Sequence, residues 1–116
     1  VICDRFVDST IAYQVYGSKV DKLLIDTIHN TILGKFKPHL TFVLKLNLEK
    51  AFSRMEKRKS KNRYDTFSKS FYNKVQNGFI KIAKEDKKRY VVLDTTLDTK
   101  DTEKIIYKNF IKLLRK

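Results

Sequence analysis

A carboxylate and a guanidinium stand side by side at Asp4-Arg5, directly behind the apolar run Val1-Ile2-Cys3. Such a pair can serve a phosphate: the carboxylate holds a magnesium ion through water, and the planar guanidinium grips two phosphate oxygens at once. An ordinary ion pair at a strand end would use the same two residues. A second cationic group, Arg54, Arg58 and Arg63 with the lysines between them, is concentrated enough to suggest work on phosphate. Asp94-Thr95-Thr96 forms a third polar cluster, again behind an apolar run. Other patterns carry no chemistry. Gly17-Ser18-Lys19 looks like the tail of a phosphate-binding loop, but that loop needs Gly at position 12 and Lys at 18, where Ala12 and Ser18 stand. His29 and His39 are too isolated for a metal site. Cys3 is the single cysteine, so no disulfide framework or cysteine metal site arises; it is expected in the core, in a reducing compartment.

The elements that must position these groups follow from periodicity. Val1 to Asp4 reads as a buried parallel strand that delivers Asp4 at its carboxyl end. Asp8 or Ser9 is expected to cap a short helix carrying Ile11, Ala12 and Val15, broken at Gly17-Ser18. A second helix spans 20–33, with Leu24, Ile28 and Ile32 one above another, and Gly34 ends it. Residues 40–46 are the clearest strand. Asn47 caps a helix over 48–58, and a long helix from Thr66 carries Phe67, Phe71, Val75, Phe79 and Ile82. Strand 89–93 ends at Asp94, and a last amphipathic helix begins at Asp101 or Thr102. The order β-α-α-β-α-α-β-α predicts an α/β fold with a parallel sheet. In such sheets ligands bind beyond the carboxyl ends of the strands, which singles out Asp4-Arg5, Leu46-Asn47 and Asp94-Thr95-Thr96.

Composition narrows the class. The chain has 116 residues, 41% of them hydrophobic, with six Tyr and eight Phe, enough for one domain with a real core. No apolar run approaches the ~20 residues that cross a bilayer, and no secretory signal opens the chain. The formal charge of +13 comes mostly from lysines spread over helix surfaces, which reads as a solvated surface. Nucleic acid is therefore not the expected partner, although a basic, non-catalytic nucleic-acid-binding domain is the alternative of a different class.

With Ser9, Ala12, Tyr13 and Gln14 following it, the opening pair takes on a specific meaning: Asp4-Arg5-Phe6-x-x-Ser9-x-x-Ala12-Tyr13-Gln14 resembles the signature of the thymidylate kinase family. The resemblance continues through Leu33-Gly34-x-Phe36-x-Pro38-x-Leu40-Thr41, where His39 replaces the usual Asp. It runs on through Asn47-Leu48-Glu49-Lys50-Ala51 with Arg54, and through Asn62-Arg63-Tyr64-Asp65 with Phe71-Tyr72. In the third of these Asn62 and Asp65 replace the usual Asp and Glu of the lid. Val92-Leu93-Asp94-Thr95-Thr96 resembles the family's turn along the adenine ring.

The resemblance implies a three-layer nucleoside-monophosphate-kinase fold, with residues 1–116 one incomplete domain whose N-terminal strands and phosphate-binding loop are missing, and a lid at about 54–66. It implies phosphoryl transfer from ATP to thymidine monophosphate, with magnesium, in the cytoplasm, toward dTTP; the 116 residues alone are expected to be inactive. Arg5 is expected on the monophosphate and Asp4 in the magnesium network through water. Ser9, Tyr13 and Gln14 would line the nucleoside pocket. Arg58 and Arg63 would supply the lid cation that stabilises the charge of phosphoryl transfer. Arg54, Thr95 and Thr96 would lie by the adenine. A homodimer through the first two helices is expected, since they offer more apolar surface than one core needs. Another nucleoside-monophosphate or deoxynucleoside kinase of the same fold is the nearest alternative.

Overall fold

A computed structural model describes residues 1–56, 68–95 and 98–115, with side chains in the third helix described through residue 53. The lid residues proposed above, Arg58 and Arg63 included, lie outside the described set, as do Thr96 and the side chain of Arg54. The elements run α1 (Val7–Thr10), a π-helical segment (Ile11–Gly17), α2 (Lys22–Leu33), β1 (Thr41–Lys45), α3 (Leu48–Glu56), α4 (Lys69–Glu85), β2 (Tyr90–Asp94) and α5 (Thr99–Leu114).

Local chemistry explains most helix starts. Four of the helices open on a side chain that accepts one of the unpaired N–H groups of the first turn. Asp21 Oδ1 accepts from Leu23 N at 3.0 Å, Ser68 Oγ from Phe71 N at 3.2 Å, and Asp98 Oδ1 from Lys100 N at 3.1 Å. The last of these corrects the expected start at Asp101 or Thr102, because Asp98 is the nearer competent cap. Asn47 Oδ1 likewise accepts from Lys50 N at 3.2 Å and starts α3. The first helix behaves differently. It begins at Val7, after Phe6, with no side-chain cap, so neither Asp8 nor Ser9 caps it; the Asp8 carboxylate is used elsewhere.

The parallel sheet is confirmed, with β1 beside β2 and Thr41, Val43 and Lys45 opposite Tyr90, Val92 and Asp94. The strand expected at Val1 to Asp4 is not formed. Those residues are irregular and exposed, Ile2 to 95%, because a strand needs a neighbour to take up its N–H and C=O groups, and among the described residues the sheet has two strands. Cys3 is accordingly on the surface and not in the core, its thiol donating to the Arg5 carbonyl at 3.1 Å.

Side chains alternate across a strand, so Val43 and Tyr90 share the face that α4 covers. They form the core with Ala12 from the π segment and Val75, Ile82 and Ala83 from α4. The α4 helix is thus the central element, packed against both the π segment and the sheet. Contact with the π segment is close at Gly78, where an added Cβ would fall 2.7 Å from Tyr16 Cβ. That atom is next to the backbone and cannot rotate away. Gly78→Ala is therefore expected to lower the urea midpoint, overpacking of about 1–3 kcal/mol outweighing the roughly 1 kcal/mol gained in helix propensity. An unchanged or raised midpoint would contradict this packing.

Candidate active site

The carboxyl ends of β1 and β2 are held in place by polar groups from neighbouring elements. Gln76 on α4 accepts from Leu46 N at 3.0 Å. Thr95 donates twice to the Lys45 carbonyl, through its N–H at 2.8 Å and its hydroxyl at 2.9 Å. The turn after β2 is thereby pinned to the end of β1, and the Thr95 hydroxyl proton is committed to that task.

Residues 4–14 are not delivered by a strand end, since among the described residues no strand precedes α1. Arg5 has φ 65°, a left-handed conformation that is unfavourable for a residue with a Cβ and that concentrates at functional positions. Its guanidinium lies 5.5 Å from the centre of the Tyr13 ring, where the negative face of the ring attracts a cation. Tyr13 belongs to the π segment, whose backbone closes with the i to i+5 bond from Ser18 N to the Tyr13 carbonyl at 3.0 Å. Single π turns inside helices recur at functional sites because they re-aim the side chains they carry.

From Tyr13 a row of rings crosses the start of α4. Tyr13 packs 6.0 Å from Phe71 and 6.4 Å from Phe79. Phe71 is followed by Tyr72 at 6.2 Å, and Tyr72 meets Phe52 of α3 edge-on at 5.6 Å. The Lys69 ammonium sits 5.5 Å from the Phe52 ring. The row thus joins the Asp4–Gln14 segment to α3 and α4, the two helices that residues 57–67 connect in the chain.

Of the site residues expected from sequence, the structure brings Arg5 and Tyr13 together. Asp4 and Gln14 are exposed, and Ser9 and Tyr13 are half-buried. Among the described residues no three His, Cys, Asp or Glu side chains form a metal site. Asp8 caps no helix. Its side chain is the buried acceptor of the Tyr90 hydroxyl at 2.6 Å and lies 3.8 Å from the Arg89 guanidinium. Arg89 also bonds the Tyr90 hydroxyl, approaches Thr41 Oγ1 at 3.4 Å, and directs its buried Nε toward Asp86 at 3.7 Å. This network ties α1, which carries Ser9 and leads into the π segment of Tyr13, to the start of β2. No local signal could have found it, since its partners are 82 residues apart.

The model of the thymidylate kinase family matches residues 1–106. A thymidylate kinase of Wolbachia pipientis from Culex pipiens is 42% identical over 116 residues, covering 100% of this chain and 54% of that protein. The thymidylate kinase of Wolbachia pipientis wMel is 44% identical over 101 residues, 87% of this chain and 49% of the relative. The crystal structure of thymidylate kinase from Ehrlichia chaffeensis superposes with a TM-score of 0.61 at 32% identity, covering 100% of this chain and 50% of that one. The chain spans about half the length of the curated relatives it matches. With its motif residues, its parallel sheet and a family match across most of its length, this chain belongs to the thymidylate kinase family.

Proposed function

We propose that this chain carries the acceptor site and the lid of an enzyme that transfers a phosphoryl group from ATP to thymidine monophosphate, giving thymidine diphosphate for dTTP synthesis. The observation that carries this reading is Arg5, held in a left-handed conformation with its guanidinium over Tyr13, inside a motif of the family. Arg5 binds the monophosphate, and Tyr13, Ser9 and Gln14 receive the nucleoside, an aromatic face and an amide suiting a flat base with donor and acceptor edges. Arg58 and Arg63 supply cationic charge to the moving phosphoryl group, and Arg54 lies by the adenine. Thr95 and Thr96 serve the adenine, Thr95 acting through the shape of a turn that its own hydrogen bonds hold. One exposed carboxylate, Asp4, fits magnesium held mainly by phosphate oxygens and water. Bound there, the ion would neutralise charge on the phosphates.

Residues 1–116 act as part of one thymidylate kinase domain with its lid at about 54–66. Residues 24, 28 and 32 of α2 present an exposed apolar stripe, Leu24 at 53%, Ile28 at 43% and Ile32 at 73%, which supports a homodimer formed through that face. Among the described residues no helix is long and apolar enough to cross a membrane, and a cytoplasmic location suits the substrates.

The direct test replaces the matching 54% of the Wolbachia relative from Culex pipiens with this chain. The folded chimera is expected to form thymidine diphosphate from ATP and thymidine monophosphate, with magnesium, and to prefer that acceptor in a panel of nucleoside monophosphates. A folded chimera without turnover, or one preferring another acceptor, would overturn the reading.

A further inference from the structure

Phe71 lies one step behind the residues expected to touch the nucleotide. Its backbone is fixed by the Ser68 cap, whose Oγ accepts from Phe71 N at 3.2 Å. Its ring lies over Gly17: a Cβ added there would fall 2.9 Å from Phe71 Cε2 and 3.1 Å from both Phe71 Cζ and Val75 Cγ2. A side chain at position 17 would have to displace the Phe71 ring. The same ring meets Tyr13 at 6.0 Å with the planes tilted by 51°, and Tyr13 carries Arg5 at 5.5 Å. Arg5 itself is exposed on a strained backbone, so its direction depends on what its guanidinium rests against.

We propose that Phe71 is a positioning residue of the acceptor site: seated over Gly17, it sets the plane of Tyr13, and Tyr13 sets where the Arg5 guanidinium meets the phosphate of a nucleoside monophosphate. Phe71 touches neither base nor phosphate in this scheme. It determines how strongly the site distinguishes a nucleotide from the nucleoside that lacks the phosphate. The proposal rests on the acceptor-site reading above.

The test uses the full 116-residue chain, with dissociation constants for thymidine monophosphate and for thymidine read from tyrosine fluorescence. The ratio of the two constants reports the phosphate contact alone. A general loosening of the fold would weaken both ligands together and leave the ratio unchanged. Phe71→Leu is expected to reduce the preference for the monophosphate by about tenfold, with a smaller effect on thymidine. Gly17→Ala leaves Phe71 in place but pushes its ring, and should move the ratio in the same direction; it provides the measurement if Phe71→Leu fails to fold. An unchanged ratio in both variants, or equal loss of both ligands, overturns the positioning role while the acceptor site stands. An unsubstituted chain that folds but does not prefer the monophosphate overturns the acceptor-site reading, and this proposal with it.

Discussion

Arg5→Ala in the chimeric enzyme is expected to lower kcat/KM for thymidine monophosphate about a hundredfold or more, the scale seen when one positioned donor to a developing charge is removed. A guanidinium makes two parallel charge-assisted hydrogen bonds to a phosphate, and alanine makes none. Arg5→Lys keeps the charge without the fork and should fall between the two. The strained φ of 65° at this position separates the chemical effect from the backbone. Arg5→Gly relieves the conformation and Arg5→Ala retains it, so Gly should be the more stable variant while activity is lost in both. Steady-state kinetics on the three variants, with thermal melting beside them, checks the assignment. Near-normal kcat/KM in Arg5→Ala would remove Arg5 from the acceptor site.

Asp8→Ala is expected to cost about 3–5 kcal/mol of stability, the range for removing one partner of a buried ionic network. The carboxylate receives the Tyr90 hydroxyl and faces Arg89, whose side chain is only 15% exposed. Without it the guanidinium keeps Asp86 at 3.7 Å, a carboxylate that is 46% exposed. Since a domain of this size holds about 5–15 kcal/mol in all, urea denaturation should find the variant close to unfolding at room temperature. Tyr90→Phe is a milder lesion, about 1–3 kcal/mol, because Asp8 loses a hydrogen bond but keeps the nearby charge of Arg89.

The same pair imposes a pH dependence. Burial, and then the hydrogen bond to Asp8, raise the Tyr90 phenol above its ordinary range. The unfolded chain therefore loses this proton first as pH rises. The contribution to stability is complete below about pH 10, the ordinary tyrosine value, and is lost above it. Lys22, raised by its hydrogen bond to Asp26, declines over a similar range. The difference between the parent chain and Tyr90→Phe isolates the tyrosine: the alkaline loss of melting temperature should be shallower in the variant. Parallel curves would place Tyr90 outside the titration.

Much of this molecule was legible residue by residue, because the signals are local. The apolar spacing of α2, α4 and α5 is a helical period read within one segment, and Gly34 and Asn47 act on their own chain neighbours. The strands 40–46 and 89–93 announce themselves by runs of apolar and β-branched residues, and the structure pairs Thr41–Lys45 with Tyr90–Asp94 in parallel. The motif Asp4-Arg5 to Gln14 is likewise a matter of spacing along the chain, and it was enough to point to the family. Tertiary contact decided the rest. Val1–Asp4 has the composition of a buried strand, but a strand exists only where a neighbour takes its hydrogen bonds, and composition does not supply one. Asp8 looks like a cap because caps are explained within four residues, whereas its partner Tyr90 is 82 residues away. The π turn that aims Tyr13, and the ring of Phe71 that lies against it, depend on how closely two helices approach at Gly17 and Gly78. That distance is set by packing between segments far apart in the chain, so periodicity within either segment could not reveal it.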